Sequence, residues 1–231
     1  MEHSHKYHHH TPSKEFEKSA EWIGMNKEVL EMGCHTGGLS QILHRENNCS
    51  VTGIEINSHA LSFASPYLQK QFSIDLNDLD SWRNVGDKKY DFVTWIHVLE
   101  HLVNPLDALK QSVQLINNEG SVIIALPNIS NARERFDMVF GKFEYTETGV
   151  MDNTHLKFYN YHTAIKLIQD AGLHVKEYYS AWQTNPTRQF LNHLPVLHHL
   201  GSMMNENKPP AFPRYTPNLT DVTMMFKCKV H

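Results

Sequence analysis

Two histidines and a glutamate fall within five residues at HVLEH (97–101), and an aspartate and a histidine stand three apart in MDNTH (151–155). Imidazole and carboxylate groups at such spacings can ligate a metal ion or pass a proton. The first run fits H-x-x-E-H, the pattern of one class of zinc peptidase. In the second, a carboxylate near an imidazole can fix its tautomer and raise its basicity, which makes His155 a candidate general base and Asp152 its orienting partner. A third run, EMGCHTGG (31–38), puts Gly33, Gly37 and Gly38 where a backbone must turn tightly and approach a ligand.

These residues need elements to hold them. KEFEKSAEWIG (14–24) reads as a lead-in helix, and EVLEM (28–32) is a short apolar run that feeds the glycine loop, as a buried strand would. LSQILHRE, SHALSFASPYLQK, PLDALKQSVQLIN and YHTAIKLIQDAG carry helical periodicity. Between and after them, SVTGIEI, QFSIDLND, YDFVTWI, GSVIIALPN, LHVKEYYSAW and DVTMMFKCKV read as strands. Near-continuous apolar strands alternating with amphipathic helices indicate a parallel sheet covered on both faces. The expected fold is α/β, a doubly wound, Rossmann-like seven-stranded sheet, mostly parallel with an antiparallel C-terminal strand. Residues 1–13 are expected to be a disordered, His-rich start, and 14–231 a single domain with cover segments at about 128–159 and 183–220.

In such a sheet, ligands bind outside the carboxyl ends of the strands where the strand order reverses. The first strand's glycine loop is there, and Glu55 ends the second strand 18 residues beyond Gly37, where a carboxylate can accept two hydrogen bonds from a ribose diol. Asp75, after the third strand, can accept from an adenine amino group, although a turn-forming role suits it nearly as well. HVLEH directly follows a predicted buried strand, whereas a zinc peptidase needs the motif inside a long helix with a distant third ligand, so the peptidase reading is set aside.

Taken in order, VLEMGCHTGG, GIEIN, SIDLND, YDFVTWIHVLEHLVNP and GSVIIALPN resemble the successive motifs of class I S-adenosylmethionine-dependent methyltransferases, over residues 14 to 182 or so. His35 departs from that pattern, where the family usually has another glycine. The resemblance implies S-adenosyl-L-methionine as cofactor and S-adenosyl-L-homocysteine as product. It places Glu31, Gly33, Cys34, Gly37, Glu55, Ile56, Asp75, Leu76 and His97 on the cofactor, with Cys34 acting through its backbone. MDNTHLKFY is similar to the M-D-x-T-H-L-R-F-F stretch of methyltransferases that tailor sugars, polysaccharides and small molecules. With His155 and Asp152, His101 is then a polar catalytic residue of the substrate cleft.

The ubiquinone-pathway O-methyltransferases are similar around residues 97–101 and bind a divalent ion through two glutamates and a histidine. This chain matches at Glu100 and His101 but has His97 for the first glutamate, which shifts preference from magnesium toward softer ions. A site without metal is preferred here, with His97, Glu100 and His101 as the alternative ligand set. The expected function is O-methylation of a small-molecule or sugar-like acceptor by in-line transfer with a general base. The alternatives are a non-catalytic module binding an adenosyl cofactor and an NAD-linked oxidoreductase, the latter disfavoured by G-x-x-x-G in place of G-x-G-x-x-G.

Composition narrows the partners. Among 231 residues, 20% charged content and a net charge of -4 give no sign of a nucleic-acid surface. No apolar run reaches membrane-spanning length, and three scattered cysteines fit a reducing compartment, so a cytoplasmic location is expected. A homodimer stays open.

Overall fold

The computed structural model describes residues 13–139, 141–183 and 221–230. The His-rich start and almost all of the expected second cover segment lie outside the described residues. Seven strands form one sheet in the order β3-β2-β1-β4-β5-β7-β6. They are β1 (Glu28–Met32), β2 (Ser50–Ile54), β3 (Lys70–Phe72), β4 (Tyr90–Ile96), β5 (Ile116–Pro127), β6 (Leu173–Gln183) and β7 (Asp221–Val230). β2 and β4 both pair parallel with β1, and β3 pairs parallel with β2. β6 and β7 are antiparallel. The doubly wound, mostly parallel sheet expected from the alternation is therefore present. The helices are α1 (Lys14–Ile23), α2 (Gly38–Arg45), α3 (Ser58–Ala64), α4 (Pro105–Val113), α5 (Ala132–Val139) and α6 (Tyr161–Asp170). Among the described residues no helix is long and apolar enough to cross a membrane.

The chain divides into two compact units, one of residues 1–96 with 111–123 and one of 97–110 with 124–231. In the first, the strand order reverses between β1 and β4, the switch point at which open α/β sheets bind ligands. Val29, Leu30, Met32, Val51, Ile54, Val93 and Trp95 are buried there to 1% exposure or less, so the ends of β1 and β4 are held by a packed core. Trp95 donates its indole N–H to Ser112 Oγ at 3.1 Å and stacks near Trp82. It is a core residue.

Three boundaries differ from expectation for local reasons. α3 stops at Ala64 and passes into a 3-10 turn at Ser65–Tyr67, because Pro66 has no N–H to continue the helix. α4 stops at Val113, and Tyr90 N–H takes the Leu115 carbonyl at 2.8 Å, so β5 begins before the glycine expected to open it. β3, at the edge of the sheet, is only three residues long. Asp75 Oδ1 then accepts from Asn77 N–H at 2.9 Å and turns the chain away.

In the second unit, the stretch 128–159 contains a helix that the pattern did not reveal. Buried Asn131 starts α5 by accepting from Arg133 and Glu134 N–H at 3.0 and 3.3 Å. Asn128, fully buried, anchors the stretch through Nδ2 to the Asp221 carbonyl at 2.7 Å and through its own N–H to the Val222 carbonyl at 2.8 Å.

Candidate functional site

The glycine hinge is organised around two carboxylates of the first unit. Cys34 N–H bonds the Ile54 carbonyl at 2.9 Å, which ties the loop after β1 to the end of β2. Glu55, at that end, accepts from His35 N–H at 3.0 Å through one oxygen and from Asn57 N–H at 2.8 Å through the other. A carboxylate has about four lone-pair positions, so these bonds fix its orientation without using its capacity. Asn57 in turn caps α3 by accepting from His59 and Ala60 N–H, both at 3.0 Å.

The loop holds left-handed backbone at Gly33 (φ 69°), His35 (φ 46°) and Gly37 (φ 83°). His35 thus adopts the region its glycine counterpart would, with Glu55 bonded to its N–H as the compensating contact. Gly37 is needed twice over. Besides its φ, a Cβ there would lie 2.8 Å from Ala64 Cα. Gly38, at the start of α2, would meet the Phe16 ring at 2.5 Å. These close approaches bring the N-terminus of α2, with its unbonded N–H groups, to the end of β1.

Glu31 is buried and receives a short hydrogen bond from the Ser40 hydroxyl. Burial pushes its carboxyl up to about 7, against the Ser40 bond, with repulsion from Glu55 adding to the rise. Cys34 is buried, and its thiol is pushed far up by burial and by both carboxylates, which leaves only its backbone for ligand contact. Ile56 is 62% exposed beside Glu55, while Leu76 is buried and Asp75 is exposed.

HVLEH is no zinc-peptidase helix. His97 follows β4 with φ 55°, and Leu99–His101 is a single 3-10 turn. His97 N–H bonds the Ala125 carbonyl at 3.1 Å, and its Nδ1 lies 3.2 Å from Glu100 Oε1. Glu100 is fully buried, and its carbonyl accepts from Leu156 and Lys157 N–H at 2.8 and 3.0 Å. The turn after β4 is thereby fastened to the MDNTHLKFY segment within the second unit.

That segment brings His155 to His101, with ring centroids 4.8 Å apart. Donor atoms of Glu100, His101 and His155 all lie within 4.8 Å of one another. The expected pairing of Asp152 with His155 is redrawn. His155 Nδ1 lies 3.1 Å from the Val150 carbonyl, whereas the Asp152 carboxylate accepts from Thr154 N–H at 2.8 Å and from Thr154 Oγ1 at 2.6 Å. Thr154 then meets His101 Nδ1 through Oγ1 at 3.1 Å and through its carbonyl at 3.3 Å. Asp152 therefore orients His101 through Thr154, and a backbone carbonyl orients His155. A loop carboxylate three residues from a histidine bonds the nearer N–H and hydroxyl first, which the spacing alone could not show.

Because a carbonyl only accepts, Nδ1 of both histidines carries the proton, and Nε2 of both carries a lone pair. Burial lowers the basicity of His155, with Glu100 opposing and His101 adding to the fall. Burial would raise Asp152, but its Thr154 hydrogen bonds and the two imidazoles outweigh it, and the carboxyl ends below its ordinary value. Tyr159, buried against Glu100, is pushed up. Phe158 lies edge-on to His155, Tyr145 lies near Phe158, and Phe143 is edge-on to Tyr145. Phe143 and Tyr145 are more than half exposed. The roles of Val150, Thr154 and Ser40 were not legible in the sequence, since nothing in their types marks them.

A protein family described as a methyltransferase domain is matched over residues 4–178. The ubiquinone biosynthesis O-methyltransferase of Nitrosospira multiformis is 28% identical over 156 residues, which cover 65% of this chain and 64% of that protein. That of Cronobacter sakazakii is 30% identical over 135 residues, 56% of this chain and 53% of the relative. The chain thus matches less than two thirds of the length of these relatives. Among solved structures, a S-adenosylmethionine-dependent methyltransferase from Archaeoglobus fulgidus superposes with a TM-score of 0.64 at 14% identity, covering 93% of this chain and 90% of that one. Magnesium protoporphyrin IX methyltransferase from Synechocystis, solved with S-adenosylhomocysteine bound, gives 0.56 at 14% identity, covering 94% and 82%. At these identities the structures show a common fold.

Proposed function

Since the chain belongs to the methyltransferase-domain family, as a class I S-adenosylmethionine-dependent enzyme, we propose that it O-methylates a small-molecule or sugar-like hydroxyl acceptor. The observation that carries this reading is the hinge at the switch point, with Glu55 oriented by His35 and Asn57 N–H and left-handed glycines before α2. Glu55 takes the ribose diol, Asp75 the adenine amino group, and exposed Ile56 the adenine face, with Leu76 packed behind. Glu31 takes the cofactor's amino group, and the backbone of Gly33, Cys34 and Gly37 closes on the cofactor. His97 carries the cofactor role that the motif order gives it.

The sulfonium is already a strong electrophile, so the protein has to align acceptor oxygen, methyl carbon and sulfur and remove one proton. The Glu100–His101–His155 cluster is assigned to the acceptor hydroxyl, because two Nε2 lone pairs and a buried carboxylate can receive a hydroxyl proton. Asp152 supports it through Thr154 and His101. The relatives' description as O-methyltransferases supports an oxygen acceptor.

The test is calorimetry with S-adenosylmethionine, S-adenosylhomocysteine and NAD, alongside methyl-transfer assays on phenolic, sugar and carboxylate acceptors. S-adenosylhomocysteine should bind, Glu55→Ala should weaken it at least about tenfold through loss of the diol contact, and His155→Gln should abolish transfer while leaving that affinity. Binding of NAD in preference, or cofactor binding with transfer to none of the acceptors, overturns the reading.

A further inference from the structure

Glu100 is an unusual residue to find fully buried with only half of its carboxylate in use. Oε1 faces His97 Nδ1 at 3.2 Å, but Oε2 is buried without a hydrogen-bond partner. Leaving a buried acceptor unsatisfied costs on the order of 1–3 kcal/mol, and more when it is charged. A fold keeps such an atom where something else satisfies it.

Two histidines grouped with it answer what that is. His101 and His155 are each held through Nδ1 by a backbone carbonyl, from Thr154 and Val150, which leaves each an Nε2 lone pair for a ligand. Imidazoles fixed through one nitrogen by a carbonyl or carboxylate are the common support of metal-ligating histidines. Asp152 adds the next layer, bonding Thr154 Oγ1, which itself meets His101 Nδ1.

We propose that Glu100, His101 and His155 are the three protein ligands of one divalent transition-metal ion of the zinc or cobalt class. The donor atoms lie within 4.8 Å of one another, and ligand atoms around a tetrahedral ion with bonds of about 2.0–2.1 Å stand roughly 3.3 Å apart, a gap that small side-chain rotations close. Two imidazoles and one carboxylate suit zinc or cobalt, whereas magnesium favours oxygen ligands. This set differs from His97–Glu100–His101: His155 supplies the third donor, and His97 supports Glu100 through its other oxygen. Three protein ligands leave a position for a hydroxyl, and such an ion, when bound, would supply Lewis acidity that eases loss of the hydroxyl proton. With the lone pairs of both imidazoles on the ion, that acidity would replace proton acceptance by the cluster, the proton leaving to water, and the inference relies on the proposed function only for the identity of that hydroxyl.

The test uses the full chain with His3, His5, His8, His9 and His10 replaced by Gln, because the histidine-rich start would itself take up such ions. After chelation and desalting, zinc is titrated by calorimetry and cobalt(II) by visible absorption. One ion per chain is expected, with the strong d–d bands of a low-coordinate cobalt site, and magnesium should bind at least about a hundredfold more weakly. Glu100→Gln, His101→Gln and His155→Gln should each lose at least about tenfold in affinity, while Asp80→Asn, on an exposed turn, should lose none. S-adenosylhomocysteine affinity reports folding of each variant, and His155→Gln, in a partly exposed loop, carries the test should Glu100→Gln fail to fold. No uptake of either ion, or uptake indifferent to all three substitutions, overturns the site. Methyl transfer by fully chelated protein that binds no ion removes the site and leaves the proposed function standing. One bound ion with no transfer to any hydroxyl removes the function and leaves the site.

Discussion

Glu31 offers the sharpest check on how the hinge is built. Its carboxyl is enclosed at the end of β1, and burial with the nearby Glu55 charge pushes it from 4.5 up to about 7 despite the Ser40 hydrogen bond. The sign follows from proton counting. Between 4.5 and 7 the folded state holds a proton that the unfolded chain releases, so this group's contribution is fully present below 4.5 and is lost as pH rises through 7. At about 1.4 kcal/mol for each pH unit across that interval, the ionised carboxylate costs the ligand-free fold about 3 kcal/mol at pH 8. Glu31→Gln keeps the shape and an acceptor for Ser40 but cannot ionise. Urea denaturation of both proteins at pH 4 and pH 8 isolates the effect, because other titrating groups cancel in the comparison. The wild type should lose about 3 kcal/mol more than the variant between the two pH values. Equal losses would show that Glu31 is ionised without penalty and that the environment described for it is wrong. On the proposed cofactor placement, the α-ammonium of S-adenosylhomocysteine neutralises Glu31, so affinity should rise from pH 6 to pH 8 in the wild type and stay nearly flat in the variant.

Gly37→Ala should lower stability well beyond the strain of about 1–2 kcal/mol at positive φ, because the new Cβ meets the Ala64 backbone at 2.8 Å. In thermal melts Gly172→Ala, at φ 78° with nothing within 4 Å of the new Cβ, should cost the backbone strain alone and so less than Gly37→Ala. Asn128→Ala strips the Asp221 carbonyl and Ser130 N–H of their side-chain partner in a buried position, and should cost about 3 kcal/mol in urea denaturation. Cys34, buried with a strongly raised thiol, should resist an aromatic disulfide reagent in the native protein and react on unfolding, and fast native labelling at Cys34 would contradict the packing against Gly53.

The sequence by itself determined the sheet, because strand periodicity, apolar runs and turn residues are local signals, and their alternation leaves little topological freedom. It also marked Gly33, Gly37 and Glu55, since only certain residue types can turn tightly at a strand end or accept there from a diol. It identified Glu100, His101, Asp152 and His155 as chemistry-bearing groups while misjudging how they connect. That His155 is oriented by the Val150 carbonyl, that Asp152 reaches His101 through Thr154, and that Glu100 keeps a buried, unpartnered oxygen beside two lone pairs are properties of tertiary structure. The partners are a backbone carbonyl of a kind every residue carries, a hydroxyl two positions away whose bonding depends on how the loop turns, and a histidine 53 positions off, and none leaves a mark in composition or spacing.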